Sequence, residues 1–161
     1  MIIGKVKNQN YGWSILHVPV GVTGTLGFVT NALGTAVDNV AFGKTAPTST
    51  VFTAGRGSTD NMNYGSGDDV MAYCFASKDG FSKVGTYIGH HPGSATFDGQ
   101  FVYTGFRPAW VLVKSAIGGT GAWNIYDNVR QPFNPNQQTL QAQSDAVENT
   151  TAGSTLSLIH I

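Results

Sequence analysis

A short pattern occurs twice in this chain, and it constrains the fold more than any other feature. Val6-Lys7-Asn8, Trp13-Ser14-Ile15 and a run led by Leu26 come first; Val113-Lys114-Ser115, Trp123-Asn124-Ile125 and a run led by Leu140 come later. The spacing is 107 residues at the lysines, 110 at the tryptophans and 114 at the leucines, a drift that small loop insertions explain. Each copy reads as two strands with a Trp in the second, then a loop, then a Leu-led strand closing on a small, polar turn. Self-similarity of this kind marks an architecture of like units. Lys7, Trp13 and Leu26, with Lys114, Trp123 and Leu140, are its anchors. The expected organisation is a first unit over residues 1–105, whose strands at 82–105 are available to pair with a next unit, and a second over 106–161. The first copy continues through residues 49–54 and 69–76. The second stops before any counterpart of these, so it is expected to be incomplete.

The runs between turn-forming clusters are short and rich in β-branched and aromatic residues, which is the signature of strands. Strands are expected near 1–7, 12–18, 24–30, 49–54, 69–76, 82–88, 100–105, 109–115 and 122–127. In 70–76 both faces are apolar, as in a central strand covered on each side. Cys74 within it is expected to be a small buried hydrophobe. The connections are chains of Gly, Asn and Asp, which tolerate positive φ. Examples are residues 55–58, 61–67, 78–80 and 117–121, the last expected to join two antiparallel strands. Arg107-Pro108 separates two runs, because proline donates no ladder hydrogen bond. Short helical turns are conceivable at 31–38 and 144–149, but neither carries an apolar stripe. The fold expected is an all-β antiparallel sandwich, jelly-roll or concanavalin-like, in tandem units with the second incomplete.

Composition removes several function classes. Only 11 % of the residues are charged, against about 25 % in an ordinary soluble domain, and the net charge is zero. A nucleic-acid partner is not expected, since binding one needs a basic surplus to displace counterions. Membrane insertion is not expected, because no apolar run approaches the roughly 18 residues of a span. The start of the chain lacks the regions of a signal peptide. Aromatic residues, 11 % and spread along the chain, argue against disorder.

No residue set makes a convincing catalytic centre. Glycoside hydrolysis needs two carboxylates about 5–10 Å apart, yet Asp68 and Asp69 are neighbours whose side chains diverge in a strand. There is no Gly-x-Ser-x-Gly elbow and no phosphate loop. His90-His91 lacks accompanying ligands at metal-site spacing, so no cofactor is expected. A calcium site on Asp68, Asp69 or Asp98 is the one metal reading left open. Trp13, Trp123 and Trp110 are expected in the core, as apolar-strand tryptophans usually are. Tyr64 differs, because it lies in a polar, glycine-rich loop of the kind that carries recognition. The candidate ligand-binding residues are thus Tyr64, Asp68, Asp69, His90, His91 and Asp98, all read as loop positions.

The runs 70–76, 80–89, 101–114 and 123–127, followed by Arg130 and Asn134, together resemble a repeated domain of marine bacteriophage tail proteins. Residues 45–52 resemble the same family at their own position. Such domains stand beside SPRY or concanavalin-like lectin modules in long fibre or appendage proteins. The resemblance covers nearly the whole chain and brings no catalytic residues. It implies a non-enzymatic virion component, made in the host cytoplasm and displayed on the extracellular tail. Its implied partners are other tail subunits, host-surface glycans touched through loops, and further copies of itself, a trimer by analogy with fibres. The alternatives are a polysaccharide depolymerase on a lectin-like sandwich and a spacer without ligand. Two departures stand out: the Gly-Phe-x-Pro segment that normally precedes the first Val-x-Lys strand is missing, and residues 157–161 fit the family poorly. That tail is similar to a read-through of sequencing-adaptor sequence, so a fragment with a non-native end is expected.

Overall fold

The β-branched residues Ile2, Ile3 and Val6 suit Ile2–Val6 to a strand, β1, that is buried on both of its faces. Ser14–Leu16 forms β2 and Val70–Cys74 forms β3, and both pair with β1 antiparallel. The order is β2-β1-β3. Beyond β2, Leu26 bridges to Ile15 through two backbone hydrogen bonds, 2.7 and 3.0 Å. A second sheet has Trp110–Val113 as β4, Asn124–Asp127 as β5 and Leu140–Gln141 as β6, all antiparallel, in the order β4-β5-β6. The computed structural model describes residues 1–22, 24, 26–28, 40–55, 62–63, 65–89, 100–117, 121–133 and 136–150. Among them there is no α-helix, only 3-10 turns at Val18–Val20 and Val40–Phe42. The fold is all-β, built on two small three-stranded antiparallel sheets.

The chain divides into two compact units, Met1–Phe75 with Ser115–Ala122, and Ala76–Lys114 with Trp123–Ile161. In the first, Ile2, Leu16, Ala41, Phe42 and Met62 form the core, with Val22 and Phe52 packed against it. Gly4 is part of that design. A Cβ built on it would lie 2.0 Å from the Met62 sulfur, so the bare backbone of β1 is what lets Met62 seat on the sheet. Among the described residues of the second unit, Trp123 and Tyr126 are the buried aromatics, and Asn136 and Thr139 are buried polar residues.

The two sheets share part of their pairing. Ile15 faces Leu26 in the first, and Ile125 faces Leu140 in the second. Gly4 faces Ser14 while Val113 faces Asn124. The first strands of the two copies therefore align two residues away from the spacing that matches Lys7 to Lys114. A slip of two keeps every side chain on its own face, which is why the sequence alone does not reveal it.

Several expectations are corrected. β3 is not a covered central strand: among the described residues it pairs on one side only, and four of its five residues are exposed. β1 takes the central place because both of its edges are paired. Cys74 is accordingly exposed rather than buried. Residues 49–54, 82–88 and 100–105 have strand composition but form no ladder, apart from a Lys78–Ser82 bridge at the edge of the second stretch. Of 24–30, only Leu26 pairs, and 25, 29 and 30 lie outside the described residues. Residues 144–149 form no helical turn; Asn149 instead bridges to Thr139. The possible turn at 31–38 lies outside the described residues.

Past β5, Asp127 closes the chain on itself. Its Oδ1 accepts the backbone N–H groups of Val129 (3.1 Å) and Arg130 (2.9 Å), and its Oδ2 accepts Arg130 Nε at 2.6 Å. Arg130 also bonds Glu148 and the Ile125 carbonyl. The Arg130 backbone and guanidinium donors hold the Asp127 carboxyl below its usual 3.8. A depressed carboxyl stabilises the fold above its unfolded pKa, and that stabilisation disappears as pH falls through the lowered native value. Asp127→Asn is therefore expected to lower the urea midpoint at pH 7. The gap between wild type and variant closes on titration to below pH 3.8, which urea melts across that range would read out.

Candidate functional site

The second unit carries an open groove between two extended stretches, residues 86–88 and 100–103. It encloses about 490 Å³ and is lined by Tyr87, Phe101 and Tyr103, with Thr86 and Gln100 as polar neighbours and Ile88 and Val102 as apolar ones. The rings are well exposed: Phe101 keeps 59 % of its surface in solvent and Tyr103 64 %. A smaller cavity of about 230 Å³ adjoins it, with Tyr103 common to both. Its wall is the tight turn 78–82, where Lys78 and Ser82 exchange backbone hydrogen bonds of 2.8 and 2.9 Å. Ser82 Oγ donates to the Ala76 carbonyl at 2.6 Å and the Val84 N–H donates to Ser77 Oγ at 3.0 Å, which fixes the turn on its flanks. On the other wall, Thr104 Oγ1 donates to the Phe106 carbonyl at 2.6 Å, holding the chain just past Tyr103.

Among the described residues no carboxylate, lysine or arginine lines the larger groove. A groove of that kind binds through ring faces and hydroxyl or amide hydrogen bonds, not through charge. Among the described residues Asp79 is the one carboxylate of the smaller cavity, where Lys78 and Lys83 are its cationic neighbours.

The residues expected to bind ligand are placed elsewhere or lie outside the described residues. Tyr64, His90, His91 and Asp98 belong to the latter; in sequence, the last three fall between the two walls of the groove. Asp68 and Asp69 belong to the first unit and fasten a loop to the end of β1. Asp68 Oδ2 accepts the Gly65 N–H at 2.7 Å, and its Oδ1 accepts Gln9 Nε2 at 3.5 Å. Asp69 pairs with Lys7 at 2.5 Å, while its N–H donates to Asn8 Oδ1 at 3.1 Å. One of the repeat anchors, Lys7, is thus the partner of a candidate ligand residue. Among the described residues no three His, Cys, Asp or Glu side chains gather as a metal would require.

The tryptophans divide. Trp123 is buried, 3 % exposed, and its backbone N–H donates to Gln143 Oε1 at 2.8 Å. Trp13 is half-buried, stacked on Tyr73 at 6.4 Å and edge-on to Phe28 at 5.8 Å. Trp110, expected in the core, is 54 % exposed, because among the described residues β4 is paired only by β5. Burial also lowers the pKa of the Lys114 ammonium, just past β4. Of the remaining anchors, Leu26 is buried and Leu140 is partly exposed.

A family model covers residues 1–160, and its description is a domain of unknown function, DUF7483. The chain belongs to the DUF7483 family. No curated protein and no solved structure matches this DUF7483 chain. Its groove was missed in the sequence because 82–88 and 100–105 are rich in β-branched and aromatic residues as strands are, which assigns Tyr87, Phe101 and Tyr103 to a packed sheet. The usable signal was the pair of tyrosines: an amphipathic ring suits a half-wet surface better than a core.

Proposed function

We propose that this DUF7483 chain is a non-enzymatic structural and adhesion module of a bacteriophage tail fibre or appendage, and that its aromatic groove holds a neutral host-surface glycan. The observation that carries the reading is the groove itself, with Tyr87, Phe101 and Tyr103 exposed beside Thr86 and Gln100 and no charged side chain among the described residues of its lining. Sugars offer apolar C–H faces to rings and hydroxyls to amides and hydroxyl groups, so this lining matches an uncharged saccharide. The low charge of the whole chain suits display in an extracellular setting, where it limits nonspecific ionic capture. Weak contacts on many copies gain strength through multivalency. The same reading takes the sheets as parts of a jelly-roll β-sandwich in tandem units, and the phage-tail resemblance of residues 70–130 supplies the setting.

A glycan array probed with the full chain, followed by calorimetric titration of the best saccharide, tests this. Phe101→Ala and Tyr103→Ala are each expected to weaken binding by about two- to tenfold, the value of one stacked ring at about 0.5–1.5 kcal/mol. Binding of no saccharide would leave a spacer without ligand and remove the adhesion role. Cleavage of a polysaccharide that is lost in Asp68→Ala or Asp98→Ala would make the chain a depolymerase instead.

A further inference from the structure

We propose that DUF7483 chains associate edge to edge, the open edge of β4 in one chain receiving the outer edge of β3 from a second copy. The inference is independent of the sugar reading. It begins with the likeness of the two sheets. β1 and β4 occupy equivalent places: each pairs antiparallel with the strand after it, and Ile15–Leu26 corresponds to Ile125–Leu140 beyond that strand. On β1 the remaining edge is filled by β3 over five residue pairs. On β4, among the described residues, the same edge has no strand. The first sheet therefore states what kind of strand covers the second: an uncharged antiparallel one with the sequence character of Val70–Cys74.

Hydrogen-bond parity shows that β3 has an edge to offer. Lys7 N–H bonds the Asp69 carbonyl and Phe75 N–H bonds the Met1 carbonyl, so residues 69, 71, 73 and 75 point their backbone groups at β1. In an antiparallel ladder the intervening residues point away. Val70, Ala72 and Cys74 thus present an outward row. On β4, Asn128 N–H bonds the Ala109 carbonyl, which turns 109, 111 and 113 toward β5 and leaves Trp110 and Leu112 facing out. The two rows have the same two-residue spacing. Pairing Trp110 with Cys74 and Leu112 with Ala72 also puts the exposed Trp110 ring over small side chains.

Among the described residues neither edge is guarded. Exposed edges are usually blunted by lysine, proline or an inward charge, and neither β3 (Val-Met-Ala-Tyr-Cys) nor β4 (Trp-Val-Leu-Val) holds one. Because the two edges differ, the contact is head-to-tail and propagates into a ring or a filament.

Sedimentation of the full chain over a wide concentration range tests the proposal, and a concentration-dependent series of multimers is expected. Ala72→Pro removes an outward N–H without touching the ladder to β1, and should raise the association midpoint by about tenfold or more. Far-UV circular dichroism checks that the strand survives, and Ala72→Lys serves as a second variant that keeps the N–H and adds a guarding charge. Cys74 supplies a direct probe, since Trp110→Cys would stand opposite it at disulfide distance. Oxidation of that variant should give a ladder of covalent multimers, with chains of two masses cross-linked when mixed. Val129→Cys, on an exposed turn, should give none above background. A chain that stays monomeric throughout, or a disulfide that closes within one chain, overturns the proposal.

Discussion

Trp123→Ala is expected to lower the stability of the second unit by about 3–5 kcal/mol, the usual loss for a buried tryptophan. With a denaturant slope of about 1–3 kcal/mol per molar urea, the midpoint should fall by about 1–5 M. Trp123 is 3 % exposed and stands at the head of β5, where its carbonyl accepts the Ala142 N–H at 3.0 Å and its own N–H reaches Gln143. Truncation empties buried space at the start of β5, the strand of its sheet that pairs on both sides among the described residues. Trp110→Ala, on the same unit, is the control. More than half of that side chain is already in solvent, so its loss should move the midpoint little, within about 0.5 kcal/mol as for other surface changes. Equal effects of the two substitutions would mean that the burial contrast between them is wrong.

That contrast also separates what was readable in the sequence from what was not. Five of the six strands fall inside runs that β-branched and aromatic residues mark out, and the sixth, at Leu140, was read from the repeat. Local composition carries that much because strands are short and self-declaring. Pairing is a different property, because it depends on which edges meet. Val70–Cys74 and Trp110–Val113 look like core strands in composition, yet each lies at a sheet edge, so Cys74 and Trp110 are exposed. Residues 82–88 and 100–105 show the same thing more strongly: their composition is that of a strand, but no ladder forms among the described residues, and the rings end up lining a groove. Asp68 and Asp69 stood out as a carboxylate pair, and their partners Gln9 and Lys7 are set by a closure 59 and 62 residues long in sequence. No local pattern announces such a contact.

The core of the first unit makes the same point through its largest side chain, and sets the second large expectation. Phe42→Ala should cost about 3–5 kcal/mol, with amide protection lost in β1 and β2 together. Phe42 is fully buried, although it comes from a 3-10 turn rather than from a strand. Its position depends on the backbone that follows. Gly43 has φ +62, and a Cβ there would lie 2.6 Å from Thr53 Cγ2, so only glycine lets residues 52–53 approach. That approach puts Phe52 at 6.4 Å from the Phe42 ring, and the Gly55 N–H closes it with a 2.8 Å bond to the Ala41 carbonyl. Phe42→Leu keeps most of the apolar volume and is expected to lose less than about 1.5 kcal/mol, as near-conservative core swaps do. Phe52→Ala, from the half-buried side of the pair, should fall between the two. If Phe42→Ala instead left β1 protected, the sheet would be held by its ladder alone, and the cluster of Ile2, Leu16, Ala41 and Met62 around this ring would not be the unit's core. Nothing in the alternation of residues 40–55 marks Phe42 for this role, because a turn residue is buried by what folds over it and not by its own periodicity.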